Sequence, residues 1–230
     1  MKPSPPARRV LPTFLCTLIV LGATLWPLQA QEDRNQRKVR TALEVYRELV
    51  DLPEKNIPAK LLSEARCIAV IPSVIKGAFV WGGKRGRGVM TCRQEEGWSP
   101  IVFVKLSGGS FGFQIGGEST DLVLFFLTDR GVRSLLTSKL VLGGNASVAA
   151  GPLGRTAEIG TDARLKAEIF SYAKSRGVFA GISIEGARLA ADHSWNTGYY
   201  GSRVWPDELL FGDARPPAPA GMNAFLAALP

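Results

Sequence analysis

Residues 101–127 read IVFVKLSGGSFGFQIGGESTDLVLFFL, and this stretch indicates what kind of fold the chain forms. Residues 101–106 are mostly apolar and precede a pair of glycines. In residues 111–116, bulky side chains alternate with glycine or glutamine, which predicts a strand with one bulky and one nearly bare face. Residues 122–127 are continuously apolar, as expected for a strand that is covered on both faces. Three short strands are therefore predicted here.

Segments of the same character lie on both sides of this stretch. We predict further strands within residues 68–71, 78–81, 88–91, 141–150, 167–173 and 178–185, the last two forming a hairpin across residues 174–177. Short helices are predicted at residues 58–66, 128–136 and 187–192, and the aromatic residues 195–201 close the domain. Helices first and many strands afterwards predict an α+β fold, an antiparallel, glycine-rich curved sheet with short covering helices.

Glycines punctuate the predicted strands throughout the chain. Because glycine weakens a strand interior, its repetition implies bulges, tight turns or close packing against the backbone. Two explanations remain open. The sheet is strongly curved and needs bends, or its bare face accommodates a helix or an acyl chain.

An amphipathic helix is predicted from Arg34 to Val50. Its apolar residues recur at spacings of four, three and four, which places them on one face; they are Val39, Leu43, Tyr46 and Val50. Basic residues crowd the N-terminal half of the other faces; they are Arg34, Arg37, Lys38 and Arg40. The apolar face can insert into a membrane or cover the protein's own sheet.

The first thirty residues have the layout of a secretory signal. Basic Lys2, Arg8 and Arg9 precede an apolar run, and Ala30 ends the segment with a small residue. An uncleaved anchor is the alternative. We predict a signal peptide at residues 1–30, a folded domain at 31–205 and a flexible Pro/Ala-rich tail at 206–230, with docking of Phe225 and Leu226 as the alternative for the tail. Export predicts a periplasmic or secreted protein, and lipid binding by such a protein would attach it peripherally to a membrane.

The composition favours an acidic partner. The chain is 46% apolar and carries 28 basic and 20 acidic residues, so its formal charge is +8, and +5 after loss of a signal that contains three basic and no acidic residues. Anionic phospholipid head groups are abundant acidic partners for an exported protein. No nucleic-acid motif is present, so nucleic acid is not expected as a partner.

Cys67 and Cys92 remain in the mature chain. An oxidising compartment permits a disulfide between them, whereas two separate buried thiols are the alternative.

Residues 82–88, Gly-Gly-Lys-Arg-Gly-Arg-Gly, are interpreted as a cationic turn. The segment lacks the spacing of a phosphate-binding P-loop. Lys84, Arg85 and Arg87 on such a turn can contact head-group phosphates, and a solvated hairpin is the alternative.

Residues suited to catalysis or metal binding are few. His193 is the single histidine, no serine has a nucleophile-elbow context, and the cysteine and histidine spacing does not match a zinc site. We therefore expect no enzymatic activity, no catalytic residues, no metal and no cofactor.

Several motifs, in their order and spacing, together resemble the SYLF domain family. They are Ile57-Pro58 leading into Ala65; Gly82-Gly83 with Gly86, Gly88 and Val89; Gly97–Pro100; Ser110–Gly116; Gly151–Arg155; Ser171–Ser175; Gly177–Ser183; and Asn196 leading to Tyr199–Gly201. The matched core spans residues 57–201.

The resemblance implies lipid association, with an N-terminal amphipathic helix and basic surface residues at the membrane. We therefore expect anionic phospholipid binding through the helix residues and the cationic turn named above. The alternative is a structural or interaction module of the cell envelope with a protein partner. Fungal members of the family bundle actin, but the export signal and the missing SH3 or FYVE companion lead us not to expect actin as a partner.

Overall fold

The computed structural model describes residues 33–51, 57–77, 82–110, 118–137, 140–144, 146–152, 167–175, 178–182, 184–219 and 221–230. Within these ranges, the helices are α1 (Arg34–Val50), α2 (Ala59–Glu64), α3 (Asp129–Thr137), α4 (His193–Tyr200), α5 (Pro206–Phe211) and α6 (Met222–Leu226). The strands are β1 (Cys67–Gly77), β2 (Gly82–Gln94), β3 (Gly97–Trp98), β4 (Val102–Ser110), β5 (Glu118–Phe126), β6 (Leu140–Val141), β7 (Val148–Ala150), β8 (Ile169–Ser175), β9 (Val178–Gly181) and β10 (Arg188–Ala191). The predicted signal peptide and the predicted strands at 78–81 and 111–116 lie outside the described residues.

The strands form one curled sheet in the order β6-β10-β4-β2-β1-β5-β8-β7, with β3 beside β2 and β9 beside β8. Neighbouring strands are antiparallel except for β7 and β8, which run parallel. The β8–β9 pairing confirms the predicted hairpin. The α+β class and the antiparallel, curved sheet are thus confirmed, with one parallel pair added.

Both faces of the sheet carry an apolar core, as the continuously apolar residues 122–127 predicted. Leu122, Leu124 and Phe126 face a core that α3 and α5 help to form. Val123 and Phe125 face the opposite core, which includes side chains of α1, α4 and α6. The alternation along a strand supplies both cores from one apolar run.

Helix α1 has the bounds that its periodicity predicted, and it packs against the sheet. Val39, Leu43 and Tyr46 are buried in the same core as Phe103 of β4, and Val50 is partly buried against it. An ion pair between Glu48 and Lys174 also joins α1 to β8. The apolar face of α1 is thus docked on the sheet. Insertion of this face into a membrane would require α1 to leave the sheet.

The glycines of β2 are explained by close packing against β1. Strand β1 bends beyond Val70, where its register with β2 shifts and Ser73 adopts φ 56°. A Cβ added at Gly88 would lie 1.9 Å from the carbonyl oxygen of Val70, and one at Gly86 would lie 2.8 Å from side-chain atoms of β1. A curved, tightly packed sheet is therefore the reason for these two glycines.

Two predictions about the second half of the chain are wrong. Residues 187–192 were expected to be helical, but Arg188–Ala191 form β10, which pairs with β4 and β6. Residues 206–230 were expected to be a flexible tail, yet they contain α5 and α6, and Phe225 is fully buried beside α1. Long-range pairing in the first case, and burial of Phe225 and Met222 in the second, provide the stabilisation that local composition does not show.

Cys67 and Cys92 occupy directly opposite positions on β1 and β2, and a disulfide joins them. Both residues are buried. The bond closes a loop with a sequence separation of 25 and fixes the pairing of the two central strands.

Candidate anion-binding groove

A groove of about 480 Å³ opens where the N-terminal half of α1 and the start of α4 meet the sheet. Its residues come from α1, α4 and three strands; they are Lys38, Ser73, Ile75, Arg85, Gly86, Arg87, Lys105, Leu106, Ser107 and Trp195. Four of them are cationic, and this described lining contains no carboxylate.

The floor of the groove continues a face of the sheet that is apolar further along. Val89 and Phe103 lie opposite each other on β2 and β4 and belong to the core beneath α1 and α4. Two residues further along both strands, Arg87 of β2 lies opposite Lys105 of β4. Two residues beyond that pair, Arg85 lies opposite Ser107. Alternation places all of these side chains on one face. On this face, each strand thus changes from an apolar to a cationic residue where the groove begins.

The register of β2 and β4 sets two like charges, Arg87 and Lys105, directly opposite each other. Like charges directly opposite each other on antiparallel strands destabilise a sheet, and Arg85 adds a third positive charge on the same face. This arrangement suits an anion, because a bound anion would offset the repulsion.

Arg87 is the most constrained of the four cations. Its Nε donates to Oδ2 of Asp192 at 2.8 Å, and its guanidinium lies 5.1 Å from the centre of the Trp195 ring. Arg34 of α1 lies 4.8 Å from the same ring, while Phe103 packs on it from below with a centroid separation of 5.5 Å. The Trp195 ring therefore contacts one cation of α1, Arg34, and one cation of the sheet, Arg87.

Asp192 is a buried carboxylate at the N-cap of α4. Its Oδ1 accepts hydrogen bonds from Ser194 Oγ at 2.9 Å and from the Trp195 backbone N–H at 3.4 Å. Burial alone would raise the pKa of Asp192, but the hydrogen bonds from Arg87, Ser194 and Trp195 outweigh it and hold the pKa below its ordinary value. Asp192 is therefore a stable anion under the edge of the groove.

Lys38 is the residue of α1 that lines the groove. Burial lowers the pKa of its ammonium group, while the charge of Asp121 raises it and the charge of Arg87 lowers it. Asp121 in turn accepts a hydrogen bond of 2.8 Å from the backbone N–H of Ser73, at the bend of β1.

The structure brings together only part of the predicted binding set. Lys38, Arg85 and Arg87 line the groove, and Arg34 adjoins it through Trp195. Arg37 and Arg40 are exposed outside the groove lining, with Arg40 paired to Glu44 at 3.8 Å. The apolar residues Val39, Leu43, Tyr46 and Val50 belong to the core or pack against it, as described above.

The predicted cationic turn is wrong, because residues 82–94 form strand β2. Alternation along this strand places Arg85 and Arg87 on one face and Lys84 on the opposite one. Lys84, a member of the predicted binding set, therefore does not line the groove.

Sequence reasoning missed Lys105, Trp195 and Asp192. Lys105 interrupts the otherwise apolar run of residues 101–106, and a charge in such a run is the one signal that could have identified it. Trp195 and Asp192 reach the groove through contacts between segments distant in the sequence, which no local pattern reveals.

A larger cavity of about 640 Å³ lies elsewhere, around Gln94. Three arginines and three carboxylates line it, namely Arg66, Arg93, Arg215, Glu95, Glu96 and Asp213. Gln94 and Arg215 also bond to each other, at 2.6 Å, and to backbone carbonyls of the 209–214 segment. Its charges balance, so the smaller groove is the better candidate for an anion.

Within the described ranges, no helix is long and apolar enough to cross a bilayer. The same part of the chain contains no group of three or more histidine, cysteine or acidic residues arranged to hold a metal ion. The fold and groove together define an α+β domain with a cationic surface site.

Comparisons with known proteins identify the family of this domain. A sequence model of the family described as "Ysc84: Las17-binding protein actin regulator" matches residues 107–229. The SH3 domain-containing YSC84-like protein 1 of Rattus norvegicus is 38% identical over 190 residues, which are 80% of this chain and 56% of that protein. The human protein of the same name is 37% identical over 190 residues, 80% of this chain and 55% of that protein.

A yeast protein is similar over a shorter stretch. The LAS seventeen-binding protein 3 of Saccharomyces cerevisiae is 37% identical over 168 residues, covering 71% of this chain and 36% of that protein. The chain therefore belongs to the Ysc84 family, the SYLF domain family that the motifs resembled. It spans about half the length of the mammalian relatives it matches.

The expectation against actin as a partner is wrong. It rested on the missing companion domains and on the export signal. The family description, however, names an actin regulator, and the matching residues 107–229 lie within this chain. The names of the family and of the yeast relative thus point to actin-related protein partners, against that expectation.

Proposed function

We propose that this chain is a non-catalytic module that binds anionic phospholipid surfaces through the groove. The observation that carries the proposal is the convergence of Lys38, Arg85, Arg87 and Lys105 on one groove whose described lining has no carboxylate. Each cation near an anionic membrane surface contributes about 1 kcal/mol of binding free energy. The predicted signal at residues 1–30 adds an exported location to this proposal.

The charges around the groove favour binding of an anion from outside the protein, because the protein's own carboxylates do not balance the four cations. Asp192 bonds Arg87 from the side, and Asp121 acts on Lys38. These two carboxylates offset only part of the four positive charges, and neither lies in the groove lining. The lining also contains no histidine, and the exposed His193 lies outside it.

Replacement of Arg85 and Lys105 by glutamine is expected to weaken binding to anionic vesicles roughly thirtyfold, since two cations are lost. The measurement is co-sedimentation with phosphatidylcholine vesicles, with and without phosphatidylglycerol, at several salt concentrations. Wild-type binding should require phosphatidylglycerol and weaken with salt.

The control for this variant removes the same charge elsewhere. Arg47→Gln with Lys60→Gln neutralises two exposed cations that lie outside the groove. If both double variants lose binding equally, net charge rather than the groove is responsible and the proposal is wrong. Binding that is independent of phosphatidylglycerol would also contradict it.

A second candidate function is favoured by the comparisons. The family description names Las17 binding and actin regulation, and the yeast relative is named for Las17 binding. We accordingly consider a protein partner of the actin-regulating machinery as the alternative ligand. Co-sedimentation with purified actin filaments, in the absence of lipid, tests it; sedimentation with filaments but not with anionic vesicles would favour this candidate over lipid.

A further inference from the structure

Asp192 is the buried charged group for which the groove alone gives no explanation. It lies next to an anion-binding site but carries a negative charge, which by Coulomb's law opposes anion binding. Its side chain is 5% exposed, whereas that of its partner Arg87 is 50% exposed. Apart from any charge balance, this carboxylate caps α4 and accepts a hydrogen bond from Arg87.

We propose that Asp192 is the positioning residue of the groove, which holds Arg87 so that its two terminal nitrogens present a fork to a phosphate. This inference rests on the proposed function and names the group that recognises the phosphate. Arg87 is then the specificity-determining residue, and the other three cations contribute charge.

The contacts of Arg87 define its orientation. Asp192 takes the Nε–H, which leaves the two terminal nitrogens with four N–H donors. Arg87 lines the groove, and the Trp195 ring packs against its guanidinium. A guanidinium fixed in this way loses little entropy when it binds two phosphate oxygens at once.

Asp192 is itself firmly anchored. Its backbone N–H donates to the Phe103 carbonyl at 2.8 Å, and its backbone carbonyl accepts from the Asn196 N–H at 3.0 Å. Its second carboxylate oxygen is held by Ser194 and by the Trp195 N–H. The carboxylate is therefore fixed to β4 and α4, and its hydrogen bond holds Arg87 in place relative to both elements.

The Asp192→Asn change distinguishes a positioning role from a purely electrostatic effect, because the two predict opposite changes in the affinity for an anion. Removal of a negative charge beside the groove should tighten anion binding if charge alone matters. If Asp192 positions Arg87, the same change should weaken binding about tenfold, the size of one charge-assisted hydrogen bond. Asparagine is as good an N-cap as aspartate, so α4 keeps its cap.

The test measures binding to phosphatidylglycerol-containing vesicles for the wild type, Asp192→Asn, Arg87→Gln and the double variant. We expect Asp192→Asn to weaken binding and to have no further effect once Arg87 is replaced. Asp121→Asn is the matched control, since it removes a carboxylate near Lys38 that has no bond to Arg87; it should bind as tightly as the wild type or tighter.

Several outcomes would overturn the inference. Wild-type-like or tighter binding by Asp192→Asn would do so while leaving the proposed function intact. An additive loss in the double variant would show a general structural role instead, and circular dichroism of each variant identifies any loss of fold. Absence of wild-type binding to anionic vesicles would overturn the proposed function and this inference together.

Discussion

Replacement of Tyr46 by alanine is expected to lower the free energy of unfolding by about 3–5 kcal/mol, as for large buried aromatic side chains generally. Tyr46 is 1% exposed, within the core between α1 and the sheet. Its burial also raises the pKa of the phenol to about 12, a shift that the charge of Arg93 reduces. Denaturant unfolding followed by circular dichroism measures the effect.

The matched control is Glu44→Ala on the exposed side of the same helix. Its loss removes one exposed ion pair with Arg40, which is worth well under about 1 kcal/mol. Equal, small losses for both variants would mean that α1 is not part of the core. The expected result also implies that deletion of α1 cannot test membrane binding, because the deletion would expose the core.

Replacement of Gly88 by alanine is expected to cost about 3 kcal/mol or more, at the upper end of the range for overpacked cores. The added Cβ would lie 1.9 Å from the Val70 carbonyl oxygen and 2.6 Å from the Ile71 Cα. Both atoms belong to backbone, so β1 and β2 would have to separate. Thermal and denaturant unfolding measure the loss.

Gly83→Ala on the same strand is the control for this change. The atom nearest to its added Cβ is the Gly108 carbonyl oxygen at 3.9 Å, an ordinary contact distance. Stability close to that of the wild type is expected here. If Gly88→Ala were equally harmless, the close packing of β1 on β2 would be wrong.

The features that depend on local periodicity were predictable from the sequence. Helix α1 was identified with the correct bounds, because its apolar spacing is regular over about three turns. The burial of β5 on both faces and the β8–β9 hairpin followed from an unbroken apolar run and from two adjacent β-like runs. The choice between a docked and an inserted α1 could not be made, because both use the same amphipathic face.

The groove could be predicted only in part, because its geometry depends on long-range pairing. Arg85 and Arg87 were identified, but glycines and charges in residues 82–88 resemble a turn, and their strand character comes from pairing with β1 and β4. The register that sets Lys105 opposite Arg87 is not encoded locally. The contact between Arg87 and Asp192 joins residues 105 positions apart.

The two helices that frame the groove have different tasks. Helix α1 supplies Lys38 to the lining and Arg34 to its border, while its apolar face completes the core. Helix α4 supplies Trp195, and its N-cap Asp192 fixes Arg87. The covering helices of this domain thus stabilise the fold with their apolar residues and line the groove with others.

Chemical-shift mapping by NMR tests the central claim, that anionic lipid binds in the groove, most directly. Isotope-labelled protein is titrated with micelles of short-chain phosphatidylglycerol and, separately, of short-chain phosphatidylcholine. We expect the largest changes at the Arg87 Nε–H, the Trp195 indole N–H and the Lys105 amide, with phosphatidylglycerol only. Unchanged signals at these three groups, together with large changes around Arg66, Arg93 and Arg215 or elsewhere, would contradict the account.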